Sequence, residues 1–157
     1  MALKTGFCDL GFAKVDIDRQ ARRGFAEVIY CPGKTRGQLK KISQELIANK
    51  QDILLTRLEK KDFTYLKKSF PKLKYNPLAK IAFLSPKRRA KKLGLVVVIS
   101  AGTSDIPVAE EAAVTLEAMG NQVKKLYDVG VAGVHRIMSN IYLIKKAQII
   151  IVVAGME

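Results

Sequence analysis

The stretch Val96–Asp105, VVVISAGTSD, decides the fold. Leu95–Ile99 is apolar without alternation, as expected of a parallel strand covered on both faces. Ser100–Asp105 is a turn of small residues. A helix follows, with Ser104 or Asp105 as its cap and Pro107 in its first turn. A strand, a glycine-containing turn and a helix start together make a cradle for an anion. The helix start presents free backbone N–H groups, and Gly102 lets a ligand approach the main chain.

Downstream, Val108, Ala112, Leu116 and Met119 recur at helical spacing, and Gly120 is a natural stop. Gln122–Val129 reads as a second strand. A loop with Gly130 and Gly133 leads to His135-Arg136 and to a helix holding Ile137, Ile141 and Ile144. Gln148–Val153 is a third buried strand. The order is βαβαβ, which predicts a parallel sheet with right-handed crossovers. Ligands bind such sheets in the crevice beyond the carboxyl ends of the strands. Three segments leave those ends: Ser100–Asp105, Val129–Arg136 and Ala154–Glu157. Ser104, Asp105, His135, Arg136 and Glu157 are therefore expected on one edge.

Each has a plainer reading. Ser104 and Asp105 either hold a ribose or phosphate or only cap the helix. His135 is the sole histidine, and a lone histidine is usually structural. Arg136 can offer a fork of donors to a phosphate or carboxylate. Glu157 could act as a base if partly desolvated, or stand exposed at the chain end. The turn matches neither the dinucleotide GxGxxG nor a Walker A loop.

Upstream, Met1–Gly24 reads as loop, with a mixed cluster of Lys14, Asp16, Asp18, Arg19, Arg22 and Arg23. Ala26–Tyr30 is a strand ended by Cys31-Pro32-Gly33. Thr35 with Gln38 suggests a capping box, and Leu39, Ile42 and Leu46 continue a helix to about Asn49. Ile53–Leu58 is a strand, Phe63–Phe70 a short helix stopped by Pro71, and Lys80–Leu84 a third strand. This predicts a small α/β domain with a helix between each pair of strands. Ser85–Gly94, SPKRRAKKLG, is a linker candidate or a phosphate-binding patch. The expected division is 1–85 for the first domain, 86–94 for the linker and 95–157 for the second.

The charge supports two units with different surfaces. Of the 28 Lys and Arg, 23 precede Leu95 against 8 of the 14 acids, so that part carries +15 and the rest −1. A basic half can bind nucleic acid, an acidic partner or the phosphates of a nucleotide. No zinc-finger, helix-turn-helix or RNA-recognition signature accompanies the charge. Cys8 and Cys31 form neither a disulfide framework nor, with one histidine, a zinc site, and both are read as structural. No apolar run is long enough to span a bilayer and no signal peptide is evident. A soluble, cytoplasmic protein is the expectation.

The runs SAGTSDIPVAEEAAVTLEAMGNQV, DVGVAGVHR and IIIVVAGME resemble the LarB family, pyridinium-3,5-biscarboxylic acid mononucleotide synthases of nickel-pincer cofactor biosynthesis. Their catalytic domain is similar to the PurE-type aminoimidazole ribonucleotide carboxylases and mutases. DLGFAKVDIDRQARRGFAEVIYCPGKT resembles the LarB front domain, which the purine enzymes lack. The resemblance covers essentially the whole chain. It implies an α/β fold, with 95–157 as the first βαβαβ half of a flavodoxin-like, PurE-like three-layer domain.

The implied reaction carboxylates the pyridinium ring of nicotinic acid adenine dinucleotide and cleaves its phosphoanhydride, releasing AMP. Carbon dioxide or bicarbonate is the co-substrate, and Mg2+ is expected with the phosphates. In the family a cysteine adds to the ring and a carboxylate removes the ring proton. By resemblance, Thr103, Ser104, Asp105 and Gly133 line the nucleotide site. His135 and Arg136 match the purine enzymes' AHR segment, here preceded by Val134. Glu157 matches the acid of the GME segment and is the candidate base.

The implied partners are the dinucleotide and further copies of the chain, an octamer in the family, with neither membrane nor nucleic acid. The family's cysteine lies in a later segment. The chain is therefore expected to be truncated within its catalytic domain and not competent by itself. An aminoimidazole ribonucleotide carboxylase or mutase is the enzyme alternative. A basic nucleic-acid-binding module is the alternative of another class.

Overall fold

The computed structural model describes residues 6–25, 27–85 and 93–156. The chain divides into two compact units, Met1–Arg88 and Arg89–Glu157. Most of the expected linker, residues 86–92, lies outside the described residues.

The first unit opens with more structure than the sequence suggested. β1 (Phe7–Asp9) and β2 (Lys14–Asp16) form an antiparallel hairpin, and α1 (Arg19–Arg23) follows. The reading of Met1–Gly24 as loop is corrected. The hairpin strands have three residues each, too short for a periodic signal. Gly11 at φ 79° makes its turn, and the Asp9 carboxylate accepts the Gly11 N–H at 2.8 Å.

β3 (Val28–Tyr30), α2 (Arg36–Ala48), β4 (Ile53–Thr56), α3 (Lys60–Ser69), β5 (Lys74–Asn76) and β6 (Ile81–Leu84) complete the unit. The capping box is present: Thr35 Oγ1 accepts the Gln38 N–H at 3.2 Å, and Gln38 Oε1 accepts the Thr35 N–H at 2.9 Å. Leu39, Ile42 and Leu46 of α2 and Leu66 of α3 bury against Ile29, Ile53, Leu55 and Ala82 of the sheet. The sheet order is β3-β4-β6-β5. β3 and β4 are parallel, whereas β4–β6 and β6–β5 are antiparallel. A helix between each pair of strands is therefore incorrect: β5 is an additional strand, and it joins β6 as a hairpin. The polar triplet Lys74–Asn76 gave no apolar run to read.

In the second unit β7 (Leu93–Ser100) lies between β8 (Asn121–Leu126) and β9 (Ile149–Val153), all parallel. β7 begins two residues before the expected strand. Val96 and Val98 pack on Ala109 and Ala113 of α4 (Ile106–Ala118). Val97 and Ile99 pack on the opposite layer with Leu126, Val129, Ile137 and Ile144. The unalternating run is thus buried on both faces, as expected for a central parallel strand. β8 stops at Leu126, short of the predicted Val129. The single helix expected around Ile137, Ile141 and Ile144 is two, α5 (Val134–Met138) and α6 (Ile141–Lys146), broken at Ser139-Asn140. Asn140 Nδ2 donates to Arg136 O at 3.0 Å and caps the first helix there. Among the described residues, no helix is long and apolar enough to cross a membrane.

Candidate functional site

The carboxyl ends of β7, β8 and β9 are joined by backbone hydrogen bonds. Ala101 N–H donates to Val153 O at 3.1 Å, Val129 N–H to Ser100 O at 3.1 Å, and Gly130 N–H to Ala101 O at 2.8 Å. Ser100 is fully buried, and its Oγ accepts the Asp128 N–H at 3.1 Å. The three loops therefore form one wall. A side chain at Gly130 would meet Ala101 O at 2.9 Å, so the glycine permits this close approach.

A cleft of about 400 Å³ opens on this edge. Gly102, Ser104 and Asp105 line it from the first loop, Asp128, Gly130 and Arg136 from the second, and Gly155 from the third. Thr103–Asp105 is a 3-10 turn ahead of α4. Asp105 occupies the N-cap position of α4, one of the two residues expected there, but its side chain does not accept from the α4 backbone. Asp105 faces backwards. Its Oδ2 accepts the Gly102 N–H at 2.9 Å and its Oδ1 accepts the Gly155 N–H at 3.1 Å. One carboxylate thereby ties the turn after β7 to the segment after β9, 50 residues apart.

Arg136 is the cation of the cleft. Its Nη1 donates to Asp128 Oδ2 at 2.9 Å. Asp128 adopts φ 58°, a left-handed conformation that aspartate tolerates. Arg136 Nε is shielded from solvent and has no hydrogen-bond partner. Gly133 is buried beneath the guanidinium, and a Cβ there would overlap Arg136. The arginine is thus seated by one carboxylate and one absent side chain, with an unsatisfied donor.

The sequence-predicted residues divide as follows. Ser104, Asp105 and Arg136 meet at the cleft. Gly133 lies behind it as the seat of Arg136. Thr103 and His135 are exposed and are not among the lining residues. Successive helical residues point about 100° apart, so placing Arg136 at the cleft turns His135 away. Glu157 lies outside the described residues. Asp128 was not singled out as a site residue, although it heads the quoted run DVGVAGVHR. An acid eight residues before an arginine carries no local signal, and only the loop brings the two together.

No group of three or more His, Cys, Asp or Glu side chains suited to a metal occurs among the described residues. Both oxygens of Asp105 and one of Asp128 already accept protein hydrogen bonds. The described side chains therefore form no all-protein cage for Mg2+, an ion usually held by one or two carboxylates together with substrate phosphates. Neither cysteine is primed as a nucleophile, since a thiolate requires a lowered pKa. Burial pushes the Cys31 thiol up to about 12. Desolvation and the neighbouring Glu45 raise that of Cys8.

These features define an α/β protein with a cleft lined by Asp105, Asp128 and Arg136 at the carboxyl edge of a parallel three-stranded sheet. The chain belongs to the LarB/PurE-like family: the LarB/PurE-like N-terminal domain matches residues 7–87. That is a carboxylase-type family. The chain is also 40% identical over 154 residues to the uncharacterized protein MJ0165 of Methanocaldococcus jannaschii. The alignment takes in 92% of this chain and 59% of the relative, so the chain spans under two thirds of that protein's length.

Proposed function

We propose that this protein acts in carboxylation of the pyridinium ring of nicotinic acid adenine dinucleotide, with hydrolysis of the phosphoanhydride to AMP and the biscarboxylated mononucleotide. The observation that carries this reading is the meeting of Ser104, Asp105 and Arg136 at one strand-end cleft in a chain of a carboxylase-type family.

The residues divide the work by their chemistry. Arg136 is a fixed cation for the phosphate or ring carboxylate of the substrate. Exposed Ser104 offers a hydroxyl to a ribose or phosphate. Asp105 holds the wall through two backbone N–H groups, so it shapes the site rather than taking a proton. Carboxylation replaces a ring C–H by C–CO2, and the proton passes to a base, for which Glu157 is the candidate. Hydrolysis of the anhydride consumes one water. Assembly into an octamer belongs to the same proposal.

The test incubates the product of the whole reading frame that encodes this chain with the dinucleotide, bicarbonate and Mg2+. Release of AMP and a mononucleotide heavier by one carboxylate is expected. Arg136→Ala should lower kcat/KM about 100-fold through lost positioning, and Glu157→Gln should abolish carboxylation. If neither product forms, or both variants match the parent, the assignment fails. Turnover of aminoimidazole ribonucleotide in its place would transfer the reading to the purine reaction.

A further inference from the structure

The first unit carries a cationic face that the proposed reaction does not use. Its eight described carboxylates are all engaged within the unit. Asp16 and Asp18 hold Arg22, Asp62 holds Arg36, and Glu59 holds Lys80. The other four accept hydrogen bonds from backbone, amide or hydroxyl groups. Besides Arg23, Lys50 and Lys72, which lie outside α2 and α3, the described cations without a hydrogen bond or ion pair include Lys40, Lys41, Lys60, Lys61 and Lys68. The last five all lie on α2 and α3, which leave the same edge of the sheet and are joined at their first turns by Arg36 and Asp62 at 2.7 Å.

The buried positions Leu39, Ile42 and Leu46 of α2 and Leu66 of α3 fix which sides face the sheet. Helical rotation places Lys41 on the opposite side of α2, and Lys61, Tyr65 and Lys68 on that of α3. Tyr65 is 36% exposed between the two lysines, and the Arg36 guanidinium stands 6.0 Å from its ring centroid. An aromatic ring interleaved with unpaired cations is the arrangement that takes a stacked base and its backbone phosphates. The face lacks the aliphatic stripe that seats a helix in a membrane surface. Being the outer side of two helices, it does not enclose a small molecule.

We propose that the outer face of α2 and α3 binds single-stranded nucleic acid, with the lysines on the phosphates and Tyr65 stacked on a base. The test measures anisotropy of a labelled single-stranded RNA of about 20 nucleotides against the whole chain, between about 50 and 200 mM salt. The triple variant K41Q/K61Q/K68Q should flatten the log K against log salt slope by about 2, since each phosphate contact contributes about 0.7. Tyr65→Ala should weaken binding about tenfold and leave the slope unchanged.

The charge-matched variant K124Q/K145Q/K146Q, in the other unit, separates a local face from bulk charge and should match the parent. Circular dichroism establishes that each variant is folded. Absence of binding at low salt overturns the proposal. So does an equal loss in the charge-matched variant, an unaffected Tyr65→Ala, or full competition by phosphatidylserine vesicles.

Discussion

Two apolar strands, Ile53–Thr56 and Ile149–Val153, look alike as sequence and occupy opposite situations. β4 is an inner strand of its sheet: Ile53, Leu54 and Leu55 are all buried. β9 is the edge of its sheet, and Ile149, Ile150 and Val152 remain 57%, 45% and 64% exposed. An apolar run reports the capacity to be buried. The number of elements packed on it decides whether burial occurs. β4 has strands on both sides and helices over one face, whereas among the described residues β9 pairs only with β7.

The largest test of this contrast is a pair of truncations. Leu55→Ala empties a fully buried site and should cost about 3 kcal/mol, whereas Ile150→Ala should cost under about 1 kcal/mol. Urea titration reads both, and equal losses would break the contrast.

Glycines extend the comparison. Gly130 abuts Ala101 O, so Gly130→Ala forces two backbones apart and should cost about 2 kcal/mol. It should also reduce any activity of the cleft beside it. Gly37 lies exposed in α2, and the nearest heavy atom to an added Cβ is Thr35 Oγ1 at 4.0 Å. Gly37→Ala should stabilise by about 0.5 kcal/mol, through helix propensity alone. Thermal melting of the two variants should therefore move in opposite directions.

Thr35→Ala removes one half of the capping box and should cost about 1 kcal/mol. A variant as stable as the parent would mean that packing, not the cap, sets the start of α2.

The last test is a pH dependence confined to the alkaline range. Burial raises Cys31 to about 12 from its ordinary 9.0. The folded state holds that proton more tightly than the unfolded chain. The contribution is fully present below the unfolded value and is lost as pH rises from about 9 to about 12. Cys31→Ala should show a shallower fall in urea midpoint over that window. An unchanged fall would assign the alkaline loss to other groups.

Several elements were legible because their signals are local. The capping box needs only Thr35 and Gln38, and the existence of strand β7 needs only its unbroken Val-Ile run. The hairpin at Phe7–Asp16 and strand β5 were missed because three-residue polar strands have no periodicity to detect. Of the residues that the strand-end rule named, Ser104, Asp105 and Arg136 line one cleft. His135 does not line the cleft with them, because adjacency in sequence on a helix means divergence in space.

By itself the sequence determined the α/β class, the βαβαβ order of the second unit and the separation of charge between its halves. These depend on composition and near-neighbour spacing, which the chain carries whatever it packs against. Only the tertiary structure decided which carboxylates are already occupied. It also turned Asp105 towards Gly102 and Gly155, and set Arg136 between Asp128 and Gly133. Those partners lie 3 to 50 residues apart, and pairing at such variable range depends on how strands and loops meet in space.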